Sequence, residues 1–139
     1  MNSPPVSLHP QSRGKTTMFD RSEAQDHVTD EYGGRFRRLY PWEGVASPPW
    51  GGAIMTIAPG DSSTPHNHDE EETFIFLSGE GVMSVDDETR RVGKGDVVYL
   101  PRFSRHLVKN VSPDNWRCYA SGGVPHAPVL NFDRVRRFW

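Results

Sequence analysis

The sequence lacks the features that mark several large classes of protein. Its 139 residues include one cysteine, Cys118, which excludes an internal disulfide framework and is typical of a reducing, cytoplasmic compartment. No apolar run approaches the roughly 20 residues of a membrane helix, and the N-terminal stretch has no apolar segment of a secretory signal. Lys and Arg total 16 against 18 Asp and Glu, whereas a nucleic-acid-binding protein normally carries a basic excess. The sequence therefore predicts a cytoplasmic protein that binds neither membrane nor nucleic acid.

Length and local composition indicate one domain behind a short tail. A chain of 139 residues fits the usual size of a single domain. Residues 1–15 combine three prolines with Ser, Gln and Arg, so they bury too little apolar surface to fold and are expected to be a disordered tail. Residues 16–139 then form the domain, with a barrel core at about 50–121. A short helical turn is expected around Asp20–His27, with Asp20 as its N-cap.

Beyond the tail, short apolar segments alternate with turn signals, and no stretch keeps a helical period. Thirteen Gly and twelve Pro punctuate the chain, and Asp86-Asp87 lies between two short segments as in a tight hairpin. This pattern predicts an all-β fold, either a small barrel or a jelly roll. The expected strands are Arg35–Tyr40, Trp50–Ala58, Glu72–Leu77, Gly81–Val85, Thr89–Val92, Val97–Leu100, His106–Asn110 and Arg117–Ser121.

Four residues have the types and spacing of metal ligands. His66 and His68 are two apart, so on an extended segment they point to the same face. Glu72 begins the next expected strand, and His106 lies in a later one. Imidazole and carboxylate groups that converge from rigid strands are a recurrent ligand set for a mononuclear metal site.

These residues lie in two segments that resemble the two cupin motifs. The first motif, G(X)5HXH(X)3-4E(X)6G, is matched by Gly60, His66, His68, Glu72 and Gly79. A later segment matches the second motif, G(X)5PXG(X)2H(X)3N, at all positions but one. The matching residues are Gly95, Pro101, His106 and Asn110. Phe103 stands where the second motif has Gly, which questions the geometry of that turn.

The resemblance implies a fold and a metal site. The fold is a double-stranded β-helix, the cupin jelly-roll barrel, and the site holds one divalent ion, whether Zn, Fe, Mn or Ni. Its implied ligands are His66, His68, Glu72 and His106. Because one fold hosts many functions, the resemblance leaves the reaction open, and a metal that only stabilises the barrel is an alternative.

Three further residues are candidate catalytic groups near such a metal. Glu70 is a candidate general acid or base, although a solvated turn carboxylate is the favoured interpretation. Arg102 is a candidate clamp for a substrate carboxylate, and Tyr99 is a third candidate. Six residues are candidates for lining a ligand pocket. Packing in the hydrophobic core is the alternative role for these residues, and an edge position is the alternative for the tryptophan. The six are Trp50, Phe74, Phe76, Met83, Tyr99 and Cys118.

The favoured function is a metal-dependent enzyme that acts on a polar small molecule. Residues 49–60 and 65–81 resemble zinc cupins of natural-product pathways that form the N–N bond of a hydrazine by rearrangement. Iron-dependent dioxygenation is a second chemistry, and a non-catalytic ligand-binding or sensor cupin is the alternative class. Small single cupins are commonly dimers, and a homodimer is expected through the outward-facing Ile54, Ile75 and Leu77.

Overall fold

The computed structural model describes residues 18–40, 42–45 and 48–123. The expected tail, residues 1–15, and the basic C-terminal segment, residues 134–139, lie outside this part of the chain. Among the described residues are a three-residue 3-10 turn, Glu23–Gln25, and antiparallel strands. The strands are β1 (Val28–Glu31), β2 (Gly34–Arg38), β3 (Gly51–Ile57), β4 (Glu71–Ser78), β5 (Glu80–Val85), β6 (Glu88–Gly93), β7 (Val97–Leu100), β8 (His106–Asn110) and β9 (Trp116–Gly123).

Two antiparallel sheets form a jelly roll. The large sheet has the order β1-β2-β3-β9-β4-β7, and the small sheet has the order β6-β5-β8. Alternate residues point inward because the side-chain period of a strand is two. In β4, for example, Phe74 and Phe76 are buried while Ile75 and Leu77 are exposed. Inward side chains of both sheets, among them Met83 of the small sheet, form one hydrophobic core.

The eight predicted strands are present, with small shifts at their ends, and so is the hairpin at Asp86-Asp87. Val85 pairs with Glu88 across that two-residue turn. One prediction is wrong: the short turn near residue 23 has Ser22, not Asp20, in its N-cap position. The backbone N–H of Ser22 donates to the side-chain oxygen of Gln25 at 3.0 Å, which fixes the start of the turn there.

The strand β1 has no counterpart among the predicted strands. It is four residues long, VTDE, and largely polar, so its period gives little signal. It pairs with β2 through a two-residue turn, Tyr32-Gly33, in which both residues have positive φ. Such turns normally carry Asn, Asp or Gly, and a Tyr in the first position conceals the hairpin.

This β1–β2 hairpin packs against the segment that leads into His66. The backbone N–H of Thr64 donates to the carbonyl of Tyr32 at 2.7 Å. A Cβ on Gly33 would lie 2.5 Å from the carbonyl oxygen of Ser62, so only glycine allows this approach. The same segment pairs with β8 through bridges at Ser62 and His66. The hairpin is thereby fixed beside the candidate ligands.

No helix in the described ranges is long and apolar enough to span a bilayer.

Candidate metal centre

Two strands and one connecting segment bring the four candidate ligands together. Glu72 lies on β4 and His106 begins β8, while a two-way backbone bridge holds His66 beside His106. One ring nitrogen from each of His66, His68 and His106 lies within 4.8 Å of the others. Oε2 of Glu72 lies 2.9 Å from Nε2 of His68 and 3.2 Å from Nε2 of His106. The sequence spacing thus becomes one cluster of three imidazoles and a carboxylate.

Each imidazole of the cluster is oriented by a backbone carbonyl. The Nδ1 atoms of His66, His68 and His106 lie 2.7, 3.1 and 3.0 Å from the carbonyl oxygens of Thr64, Glu70 and Ser104, respectively. Because a carbonyl only accepts, each Nδ1 carries the hydrogen of that bond. In a neutral ring Nε2 then carries a lone pair, and the Nε2 atoms of His68 and His106 face Oε2 of Glu72. A ring nitrogen fixed in this way is the usual arrangement of a metal-binding histidine.

Glu72 and the neighbouring imidazoles shift one another's pKa. Burial raises the pKa of Glu72, but the neighbouring rings of His106 and His68 outweigh burial and lower the pKa to about 2. Burial lowers the pKa of His68, but the Glu72 carboxylate outweighs it and raises the pKa above 6.5. Desolvation dominates at His66 and lowers its pKa. The carboxylate therefore stays ionised and favours a positive charge at the centre of the cluster.

The residues fit a divalent cation. Nε2 of His106 is buried without a hydrogen-bond partner of good geometry, although it faces Glu72 at 3.2 Å. Two acceptors that face each other need a proton or a cation between them. The cluster borders a cavity of about 30 Å³, more than the roughly 10–15 Å³ that one water molecule needs. A small ion has both the space and the ligand atoms here.

Four of the candidate pocket residues point into the barrel, but only one of them lines this cavity. Phe74 does so, and its ring meets the ring of His106 edge-on at 6.1 Å. Phe76 packs on Trp116 in the core, with ring centroids 5.2 Å apart. Met83 and Cys118 are buried in the same core, and burial raises the pKa of the Cys118 thiol well above 9. These three side chains belong to the packing of the barrel.

The other two candidate pocket residues lie outside the barrel interior. Trp50 precedes β3 and is 47% exposed. Tyr99 points to the outer face of β7 and is 55% exposed. Slight desolvation and a hydrogen bond to Glu71 raise the pKa of Tyr99. The structure thus places both residues away from the candidate ligands.

Glu70 and Arg102 have unlike positions. Glu70 is 1% exposed and lines the cavity, with Oε2 at 3.5 Å from Nδ1 of His68. The favoured interpretation of Glu70 as a solvated turn carboxylate is therefore wrong. Glu70 shares the strand parity of His68 and Glu72, and the interpretation failed because a position in the connecting turn was given more weight than that parity. Arg102 is exposed, and its guanidinium donates to the carboxylate and to the backbone carbonyl of Asp69. Arg102 thereby joins two loops of the site.

Phe103 keeps the turn geometry that its position demands. Its φ is +64°, the left-handed region in which glycine is favoured. Its backbone N–H donates to the carbonyl of His68 at 2.7 Å. The Phe in place of the motif glycine therefore changes the side chain but leaves the turn and its link to His68 in place.

Sequence reasoning missed several residues that line the cavity. Tyr32 stacks on His66, with ring centroids 4.7 Å apart and planes 23° apart. Phe36 meets Tyr32 edge-on at 5.8 Å. Met55 and Ala120 line the cavity from β3 and β9. The inward parity of Met55 on a predicted strand was the signal available for it, whereas Tyr32 lies on a turn without a sequence signature.

The comparisons with known proteins agree with the fold. Residues 53–122 match the model of the cupin domain family, and the chain belongs to that family. It is similar to a cupin 2 conserved barrel domain protein from Salinispora arenicola, with 32% identity, a TM-score of 0.72, and coverage of 88% of this chain and 97% of that one. The plu4264 protein of Photorhabdus luminescens is similar at 30% identity and a TM-score of 0.72, over 88% of this chain and 95% of that one.

Two further likenesses are more limited. An uncharacterized protein of Methanocaldococcus jannaschii is 36% identical over 60 residues, which are 42% of this chain and 46% of that protein. The chain thus matches about half the length of this curated relative. The polyketide cyclase RemF of Streptomyces resistomycificus has 20% identity and a TM-score of 0.65, over 81% of this chain and 83% of that one. At that identity the likeness shows the fold alone.

Proposed function

We propose that this cupin is a metal-dependent enzyme that acts on a small polar molecule at the His66, His68, Glu72 and His106 cluster. One observation carries the proposal. All three histidines give their Nδ1 hydrogen to a backbone carbonyl, and one nitrogen of each ring lies within 4.8 Å of the others, with Glu72 beside the Nε2 atoms of His68 and His106. Rigid ligands of this kind, held before the ion arrives, are what a specific metal site requires.

The four side chains would hold one divalent ion, which supplies Lewis-acid polarisation of a bound oxygen or, with iron, redox chemistry. The chain contributes orientation and charge. Glu70 lies beside Nδ1 of His68 and favours the tautomer that leaves Nε2 for the ion. Phe74 and Met55 give the cavity an apolar wall, which excludes water and strengthens electrostatic interactions inside it.

Two chemistries are compatible with this proposal. One is a zinc-type rearrangement, such as the hydrazine-forming reaction of the cupins that residues 49–60 and 65–81 resemble. The other is iron-type dioxygenation. The polyketide cyclase with the same fold makes catalysis compatible with this barrel, and the enzyme proposal itself rests on the ligand cluster of this chain. A ligand-binding or sensor cupin is the alternative, and the absence of turnover with any chelating substrate would favour it.

His106→Ala tests the metal site, with His27→Ala as the matched control. His106 is buried in the cluster, whereas His27 lies on the surface before β1. Refolded wild type and His27→Ala are expected to retain about one Zn, Fe, Mn or Ni per chain by elemental analysis. His106→Ala should retain almost none and keep the wild-type circular dichroism spectrum.

Two results would contradict this proposal. A folded wild type that retains none of the four metals has no metal site. If His106→Ala and metal-free wild type are both unfolded, the ion is structural, and the catalytic assignment is lost.

The homodimer stays a prediction, for which the outer face of the large sheet offers an apolar surface. Ile75 and Val97 are cross-strand neighbours on β4 and β7, and they are 39% and 61% exposed. Leu77 and Tyr99 extend the same face. The strand β7 is also an edge of its sheet, and exposed apolar edges favour pairing with another chain. We propose a second copy as the occupant of this face.

A further inference from the structure

Tyr32 touches the candidate metal centre from an element that the motifs do not include. Its ring lies over the imidazole of His66, 4.7 Å from centroid to centroid and nearly parallel. The ring also forms part of the cavity wall, where it meets Phe36 edge-on. The β1–β2 hairpin therefore delivers an aromatic face directly to one candidate ligand.

The conformation of Tyr32 is unfavourable for its residue type. Its φ is +50° and Gly33 follows at +77°, as a type I′ turn requires. Asn, Asp or Gly normally occupies such positions, and a bulky residue there is an outlier. The β5–β6 turn has Asp86 at φ +48°, which is the expected type. Strained residues cluster at functional sites, so this outlier makes the Tyr32 side chain a candidate for a role at the metal centre.

Of the four ligands, His66 and His68 lie outside the strands. Glu72 and His106 lie on strands, and His68 lies 2.9 Å from Glu72. His66 lies outside the strands, on an isolated bridge, and is only half-buried. The bridge holds the backbone of His66 beside His106, so the orientation of its ring depends on side-chain contacts.

The hairpin restrains His66 by two routes. Through the backbone, the carbonyl of Tyr32 accepts from Thr64 N–H at 2.7 Å, and the carbonyl of Thr64 accepts from Nδ1 of His66 at 2.7 Å. Through the side chain, the stacked ring of Tyr32 sets the plane of the imidazole. Together the two routes fix both the tautomer and the direction of Nε2.

We propose that Tyr32 is a positioning residue of the metal centre, whose ring holds His66 in the orientation that turns Nε2 toward the other ligands. This inference rests on the proposed function, because it assumes that the cluster binds a metal. Removal of a side chain that orients a ligand typically weakens metal binding by about 10- to 100-fold.

The test compares Tyr32→Asn, Tyr32→Phe and the control Phe103→Asn. Asn suits a left-handed turn and removes the ring, whereas Phe keeps the stack. Phe103 has a positive φ like Tyr32, but its ring is 62% exposed. Co²⁺ alone is titrated into metal-free protein, followed by visible absorption and by competition with a chelator.

We expect Tyr32→Asn to bind Co²⁺ about tenfold more weakly than wild type, with altered visible bands. Tyr32→Phe and Phe103→Asn should bind within about twofold of wild type. If Tyr32→Asn does not fold by circular dichroism, Tyr32→Leu replaces it, and the same loss is expected because Leu has no aromatic face to stack.

The outcomes separate the two hypotheses. If wild type binds Co²⁺ and the ring-deleted variants bind it equally well with unchanged bands, the positioning role is overturned and the metal site stands. If Phe103→Asn weakens binding as much as Tyr32→Asn, the effect belongs to turn conformation and the role is likewise overturned. If wild type itself binds none of Co²⁺, Zn²⁺, Fe²⁺, Mn²⁺ and Ni²⁺, the proposed function fails.

Discussion

Two turns flank the candidate metal centre, and each carries an aromatic residue where glycine or asparagine would be expected. Tyr32 has φ +50° in the β1–β2 hairpin, and Phe103 has φ +64° in the loop before His106. A left-handed conformation costs an L-residue about 1–2 kcal/mol. An ion pair clamps each turn: Arg38 with Glu31 at the hairpin, and Arg102 with Asp69 at the loop.

The two turns differ in the part of the residue that reaches the site. At Phe103 the backbone makes the contact, since its N–H donates to the carbonyl of His68 at 2.7 Å while the ring is 62% exposed. At Tyr32 both the carbonyl and the ring make contacts, and the ring stacks on His66. A backbone contact tolerates any residue that adopts the turn, whereas a side-chain contact does not. Equal strain therefore does not mean equal function.

The largest effect is expected where the hairpin meets the ligand segment, in Gly33→Ala. The new Cβ would lie 2.5 Å from the carbonyl oxygen of Ser62 at a φ of +77°, so backbone must move. We expect a loss of about 3 kcal/mol in the free energy of unfolding, from overpacking and left-handed strain together. Urea denaturation measures it, and metal affinity should fall with it because the hairpin carries Tyr32.

Gly95→Ala is the matched control for that variant. Gly95 has a φ of +91°, and a Cβ there meets nothing within 4 Å. It should lose only about 1 kcal/mol and keep its metal affinity. Equal losses in the two variants would show that the hairpin is not packed as tightly as the geometry indicates.

Phe103→Gly should change the free energy of unfolding by an intermediate amount, and the change should be a gain in stability. Glycine relieves the left-handed strain. Because the ring of Phe103 is exposed, its removal loses little packing beyond the contact with Arg102, whose guanidinium lies 5.5 Å from the ring centroid. We expect a gain of about 1 kcal/mol in the free energy of unfolding, measured by thermal denaturation, with metal affinity unchanged. A loss of stability would show that the Phe103 ring contributes packing that its exposure conceals.

The ligands could be predicted from the sequence, but the side chains around them could not. Spacing along the chain identifies the four ligands, because strand parity and the two motifs indicate which residues a barrel brings together. The ligands are His66, His68, Glu72 and His106. Tyr32 escaped because its neighbour His66 is 34 residues away along the chain, and short-range periodicity carries no such information. The β1–β2 hairpin was hidden by a short polar strand and an unusual turn residue.

Buried polar residues were hidden for a related reason. Glu70 lies in a run of four acidic residues, Asp69 to Glu72, which is typical of a solvated turn. Only tertiary structure shows that Glu70 turns inward beside His68 while Asp69 pairs with Arg102. The acidic turn favoured a solvated position for Glu70, although the burial of each carboxylate is decided by the path of the turn.

The smallest effect concerns the ion pair that clamps the Tyr32 hairpin. Arg38 donates to both Oε1 and Oε2 of Glu31, and Thr29 also donates to Oε2. The hydrogen bond from Arg38 is the main cause that holds the pKa of Glu31 below 4.5, against the opposing effect of burial. A carboxyl with a lowered pKa in the folded state stabilises the protein above its unfolded pKa. That contribution is lost as the pH falls through the lowered value.

Glu31→Gln should therefore be less stable than wild type at pH 7 by less than about 1 kcal/mol, since the pair is partly exposed and screened by solvent. The difference should shrink toward zero as the pH falls from 4.5 to below the lowered pKa, because wild type then loses the same charge. Glu88→Gln is the control, since the Glu88–Arg90 pair is 73% and 78% exposed and its removal should change stability little at any pH. Thermal denaturation of the three proteins between pH 3 and 7 measures the two differences. A difference between wild type and Glu31→Gln that does not vary with pH would assign the effect to the hydrogen bonds of Glu31 and not to its charge.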